Sequence, residues 1–278
     1  MLSFDRVGEM TVAALLASIG SGFIVAYQYE VADPFVTSVA IEAVLPFGAF
    51  WRALHFWTAQ AFFLLLIYHA WQSIDDLPKI SKRPSSRRQW TVLSLTLPIG
   101  IFVLFTGYVL RYDGTGQAAG TIAEHLLLKV PLIGSGLNRF LMACTDEGLS
   151  RVYLLHLLLT VLLWGIGTWY HTRRVILSRK IFLSVLACSI AVAVLFNAPI
   201  DLPGKNIDLI QGPWFFLGVQ ELLRHFPPFE AGILYPLVPV IAFASLPWAG
   251  NEKIPLSILI GWLVTYFGLS LAGWLRSA

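Results

Sequence analysis

Four histidines in two apolar segments carry the chemistry of this chain: His55 and His69 in one, His156 and His171 in the other. The first two are 14 residues apart and the second two 15. At a helical rise of ~1.5 Å per residue each pair spans about 21–22 Å along its axis, and at about 100° per residue its members stay within roughly 60° of one face. Two such helices side by side can sandwich two stacked metal centres. Neutral imidazoles at both axial positions of a haem iron are the ligation this predicts, and it makes the chain an electron conductor. A lone histidine in an apolar helix has other uses, as a proton relay or an interhelical hydrogen-bond partner. Four at matched levels all need partners in hydrocarbon, and two haem irons satisfy all of them.

The elements that must position these rings are transmembrane helices. The 278 residues are 57% hydrophobic and 13% charged, with a mean hydropathy of +0.72, far from the roughly 25% charged residues of soluble domains. An all-α, polytopic membrane bundle with a four-helix di-haem core is expected. Apolar runs able to cross a ~30 Å hydrocarbon core lie at about 10–29, 48–72, 90–110, 152–172, 181–198, 231–248 and 254–274. That makes seven helices, the first retained rather than cleaved as a signal. Lys79, Lys82, Arg83, Arg87 and Arg88 crowd one connection and Arg173, Arg174, Arg179 and Lys180 another, whereas 30–47 holds Glu30, Asp33 and Glu42 without Lys or Arg. Positive charge inside then places the N-terminus in the cytoplasm and the C-terminus outside, with His55 and His156 at the outer level and His69 and His171 at the inner one. The pI of about 8.9 thus reports topology rather than nucleic-acid binding. Cys144 and Cys188 have neither the spacing of covalent haem attachment nor an expected structural disulfide.

Arg52-Ala53-Leu54-His55 with Tyr68-His69, and Arg151 through His156 with His171, resemble the second and fourth helices of cytochrome b of quinol-oxidising bc and bf complexes. Thr106-Gly107-Tyr108, Pro131-Leu132-Ile133-Gly134 and Pro213-Trp214-Phe215-Phe216-Leu217 extend the resemblance over nearly the whole chain. It implies a di-haem bundle at 1–175 fused to a three-helix quinol-site region at 176–278. Two non-covalent b haems are implied, one on His55 and His156 and the other on His69 and His171. Gly8, Gly22 and Gly107 stand where the family has glycines beside the porphyrins, although small residues also serve ordinary helix packing. The fourth such position is Leu93, so the inner pocket is expected to differ there. Arg52 matches the family's partner for a propionate of the outer haem; interfacial snorkelling is its other reading. Arg6 occupies the position of the cysteine that attaches an extra haem in the bf type, so no third haem is expected.

The quinol site departs most from the family. Its Pro-Glu-Trp-Tyr motif is here Gly212-Pro213-Trp214-Phe215, which removes the carboxylate that takes a proton from quinol. A nearby base must replace it. Glu221 and His225, four apart on one face of the amphipathic stretch 215–225, are the candidates, with an ion pair between Glu221 and Arg224 as the competing role. Tyr108, Pro131, Pro213, Trp214, Phe215 and Phe216 are expected to wall the pocket. Asp5, Glu9, Arg174 and Lys180 are candidates for a second, cytoplasmic-side quinone site, or simply for helix anchors. The function implied is that of the di-haem subunit of a quinol:cytochrome c (or other acceptor) oxidoreductase in a bacterial inner membrane. A Rieske-type iron–sulfur protein or c-type cytochrome, membrane lipids and a second copy would be its partners. Two other readings stay open: a di-haem anchor passing electrons between quinone and a periplasmic multihaem or iron–sulfur enzyme, and a transporter or channel whose histidines relay protons.

Overall fold

The structure, a computed structural model, describes residues 6–144, 148–160, 168–201 and 210–277. Within them all regular structure is helical. Helix α1 (Arg6–Tyr27) lies against α3 (Gly48–Gln72), the two joined through a short α2 (Pro34–Ala43). The seam of α1 is made of small and β-branched side chains: Val7, Thr11, Ala14, Ser18 and Ser21 are buried at alternating steps of four and three residues. That step pattern is one face of a helix, and small side chains let the backbones approach. The hydroxyls in this seam are satisfied locally, Thr11 and Ser21 donating to carbonyls four residues back at 2.8 Å each.

After a single turn α4 (Leu77–Ile80), Pro84 opens α5 (Pro84–Ser94), which continues into α6 (Thr96–Leu110). Proline at the first helical position forfeits only an N–H that has no partner there. Asp113 then caps α7 (Gly114–Leu128), accepting from the Gly116 N–H at 2.9 Å. Short α8 (Gly134–Leu141) leads to α9 (Leu149–Leu158), and α10 (Trp169–Thr172) precedes α11 (Arg179–Leu195), which packs on α1 and α3. The chain ends with α12 (Leu217–Leu222), α13 (Tyr235–Ser245) and α14 (Lys253–Ser277), α14 covering both of the others.

Among the described residues five helices are long and apolar enough to cross a membrane: Arg6–Tyr27, Gly48–Ile80, Pro84–Leu110, Glu230–Trp248 and Lys253–Arg276. The two remaining expected spans differ. Of 152–172, residues 161–167 lie outside the described residues. The span expected at 181–198 ends early, at Leu195, with Phe196 already extended ahead of Asn197, Ala198 and Pro199; in a continued helix Pro199 would have no N–H for the Leu195 carbonyl and its ring would clash with it. Its 17 residues reach about 25 Å.

Two of the four apolar clusters among the described residues tie distant elements together. Phe105 and Val109 of α6 meet Met142, Leu149, Val152 and Phe215, so the aromatic run at 214–216 is built into the core. Leu77, Trp90, Phe243, Leu246 and Leu259 tie α4 and α5 to α13 and α14, and the Trp90 indole N–H donates to the Phe243 carbonyl at 2.8 Å. Cys144 is buried, Cys188 is exposed, and both are free.

Candidate functional site

Helix α3 runs unbroken from Gly48 to Gln72, so the levels of His55 and His69 follow from the helical rise alone. His156 comes from α9 and His171 from α10. The structure brings the four together in the expected pairs. The ring centroids of His55 and His156 are 6.3 Å apart, and those of His69 and His171 5.9 Å apart. Two metal–imidazole bonds of about 2 Å each, plus the half-widths of two rings, add to about 6 Å. Each gap therefore suits one metal atom between two imidazole nitrogens.

The tautomers at the first level point the same way. His55 Nδ1 lies 2.9 Å from the Ser18 carbonyl, and His156 Nδ1 3.0 Å from the Val103 carbonyl and 3.0 Å from Thr106 Oγ1. A carbonyl only accepts, so both Nδ1 atoms carry the proton and both Nε2 lone pairs are free to ligate. Among the described residues no three His, Cys, Asp or Glu side chains gather to hold an ion. Two protein donors at a level, one on each side, match the pair of axial positions that a haem leaves open.

The glycines have a more specific task than sequence suggests. A Cβ on Gly22 would stand 2.8 Å from His55 Cε1, and one on Gly107 3.0 Å from His156 Cε1. These glycines clear the ligand rings themselves, letting each imidazole rest on a neighbouring helix backbone. At Gly8 the added atom would meet His69 Cε1 at 3.5 Å, an ordinary contact.

A cavity of about 380 Å³ begins between His55 and His156 and opens along Gly107, Tyr108, Arg52 and Arg111 to Pro213, Trp214 and Phe215. Its volume is in the range of small-molecule pockets. The space beside the first histidine pair and the space beside the aromatic run are thus one. Arg52 lines it, yet its guanidinium is already engaged: Nε donates to Glu42 at 2.6 Å, and Nη1 and Nη2 to the carbonyls of Pro199 and Ala198 at 3.1 and 2.5 Å. Gln60 in the wall receives the Trp214 indole N–H at 2.8 Å.

Other expected residues stand elsewhere. Phe216 turns from the cavity to pack edge-on against Phe105, with ring centroids 5.1 Å apart. Pro131 is exposed, in a tight turn where its carbonyl accepts from the Ile133 N–H at 2.7 Å. Glu221 and His225 do not line the cavity either. Glu221 is buried, 2.7 Å from Arg276, 3.3 Å from His225 and 3.9 Å from Arg224. The cause is close packing of α12 on α14. A Cβ on Gly218 would come within 2.6 Å of Tyr266, and that approach turns the polar face of α12 toward Arg276. Of the cytoplasmic-side candidates, Asp5 lies outside the described residues. Glu9 accepts the Ser178 N–H at 2.9 Å ahead of α11, and Arg174 and Lys180 are exposed.

Arg111, Asp113 and Asp201 were not singled out from sequence. Asp113 is 1% exposed, and it accepts from Arg111, from the Gly116 N–H and from the Asp201 N–H. The available signal was an arginine closing an apolar helix just before Asp-Gly, a pattern that also reads as an ordinary cap. Cys144 is inert beside this region, its thiol pushed up to about 11 by burial, with the carboxylate of Glu124 adding to the effect.

Residues 1–173 match the cytochrome b/b6/petB family. A cytochrome b from Micropechis ikaheca is 22% identical over 302 residues, covering 92% of this chain and 80% of that protein. A cytochrome b6 from Heliomicrobium gestii is 27% identical over 161 residues, covering 56% of this chain and 74% of that protein. A chain of a solved hyperthermophilic respiratory complex III shares the fold, with a TM-score of 0.61 over 98% of this chain and 90% of that one at 16% identity. The family match takes in more than half of the chain and all four histidines, and the chain therefore belongs to the cytochrome b/b6/petB family of haem-binding membrane proteins of electron transport.

Proposed function

We propose that the chain is the di-haem cytochrome b subunit of a quinol:cytochrome c (or other acceptor) oxidoreductase. The observation that carries this is the facing of the two histidine pairs, with Nδ1 of His55 and of His156 held by backbone carbonyls so that Nε2 is left to ligate. Held between each pair, a b haem would supply a one-electron centre, and two levels about 20 Å apart would carry charge across most of a ~30 Å hydrocarbon core. The chain's own contribution is to fix ring orientation, to exclude water with apolar walls, and to bring quinol beside Tyr108, Trp214 and Phe215. Partner subunits, a Rieske-type protein or a c-type cytochrome, would take the other electron at the outer face, and a two-fold assembly is expected. The charge bias supports a bacterial inner membrane with the N-terminus in the cytoplasm.

One observation favours the second reading, a di-haem anchor passing electrons between quinone and a periplasmic enzyme. Among the described residues that line the cavity there is no Asp or Glu, and Glu221 is ion-paired away from it. Purified complex decides between them. Two b haems per chain by pyridine haemochrome, reduced by quinol with a bound Rieske-type subunit, is the expected result. Two haems with only a multihaem or iron–sulfur enzyme attached selects the anchor, and absence of haem overturns both.

A further inference from the structure

Arg111 closes α6 at the mouth of the cavity, and its side chain is only 11% exposed. Its guanidinium is spent in part on the protein. Nη2 lies 2.9 Å from Asp113 Oδ2 and donates to Thr115 Oγ1 at 2.6 Å, Nη1 donates to the Pro199 carbonyl at 3.1 Å, and the plane sits 4.4 Å from the centre of the Tyr108 ring. Nε is different. It is buried and has no hydrogen-bond partner among the described residues. Leaving an N–H of a charged group buried and unmet is costly, and native structures meet such a group with water, an ion or a ligand where the protein does not. Arg52 donates to the same Pro199 carbonyl, also at 3.1 Å, so two guanidinium groups meet at one acceptor in the wall.

We propose that Arg111 is an anchor for an anionic oxygen, its Nε–H binding a negatively charged oxygen of a molecule held in the cavity. Two molecules of the proposed function carry that chemistry, a porphyrin through its propionate carboxylates and a quinol through an ionised hydroxyl. The inference rests on that function and adds to it a residue and a ligand group. The charged and titratable groups around the site are Asp113 and Asp201, Arg52 with its partner Glu42, the phenols of Tyr29, Tyr108 and Tyr153, and the imidazoles of His55 and His156 that line the same cavity. The carboxylate of Asp113 is already shared among Arg111, Thr115 and two backbone N–H groups, Asp201 accepts from the Thr115 N–H, and neither carboxylate makes a hydrogen bond to Nε.

The test uses the intact complex with R111Q and R111K, the lysine keeping a positive charge opposite Asp113 so that folding is retained. T115A serves as a control that removes one partner of Nη2 and leaves Nε in place. A guanidinium beside an acid favours its ionised form, so removing Nε raises that acid's pKa. If the oxygen is a propionate, the pH at which the midpoint potential of one haem begins to vary moves upward in both Arg111 variants, with KM for quinol unchanged. If it is a quinol oxygen, KM rises about tenfold or more and the acidic limb of its pH profile moves upward, with the haem potentials unchanged. Variants that match T115A in both readouts, in a complex whose unmodified form shows both haems and quinol turnover, overturn the proposal.

Discussion

The His55–His156 level and the His69–His171 level each pair a ring of α3 with one from a later segment, His156 of α9 or His171 of α10, yet they are held differently. At the first, both rings are pinned through Nδ1 to carbonyls of neighbouring helices, and two glycines sit so close that a methyl group would strike the ring. At the second, no such backbone anchor holds either ring among the described residues, Gly8 leaves ordinary clearance, and Leu93 stands where sequence comparison called for a glycine. The first level also shares its space with Pro213, Trp214 and Phe215. The difference teaches that matched ligand spacing sets where the rings are, whereas neighbouring backbones decide how rigidly they point. Second-partner hydrogen bonds of this kind orient metal ligands and raise their basicity.

The most severe way to break the comparison is to remove a ligand. H55A or H156A is expected to halve the haem content and abolish quinol-dependent reduction, read by haemochrome and absorbance. H69A or H171A is expected to halve it as well but to leave the first haem reducible by quinol. Next comes the arginine that frames the first level. R52Q leaves the part-buried carboxylate of Glu42 without its charged partner and is expected to cost about 1–3 kcal/mol, measurable as a lowered unfolding temperature in detergent.

The glycines sharpen the contrast. G22A and G107A force a methyl group into ring contacts of 2.8 and 3.0 Å and are expected to cost about 1–3 kcal/mol through overpacking, with loss of haem from the first level. G8A, facing a contact of 3.5 Å, is expected to leave haem content unchanged. Equal effects of G8A and G22A would erase the distinction between the levels. The smallest effect is expected from T106V, which removes a hydroxyl 3.0 Å from His156 Nδ1 while the Val103 carbonyl remains. About 0.5–1.5 kcal/mol is at stake there, visible as a small shift in the first haem's potential and none in the second's.

Particular residues show how far the sequence could be read. The expected helix 48–72 coincides with Gly48–Gln72, and the ring pairs follow from positions 14 and 15 apart. Glu221 shows the opposite case. Its position four residues from His225 was legible, but its ion-pair partner Arg276 lies 55 residues onward, and only the packing of Gly218 against Tyr266 decides which way α12 faces. Pro131 and Phe216 carried the right motifs and still fell outside the cavity wall, because a turn and a core cluster claimed them.

What the sequence determined by itself is therefore everything that follows from local periodicity. Apolar runs specify helices in lipid, and a regular rise converts residue spacing into ligand levels. What only the tertiary structure decided depends on how those helices rotate against one another. That rotation joined the first histidine pair and the aromatic run in one cavity, sent Glu221 to α14, and left Arg111, which lines that cavity, with a buried N–H that meets no acceptor among the described residues. Rotation is set by close contacts between residues far apart in the chain, and no periodicity along a single helix encodes it.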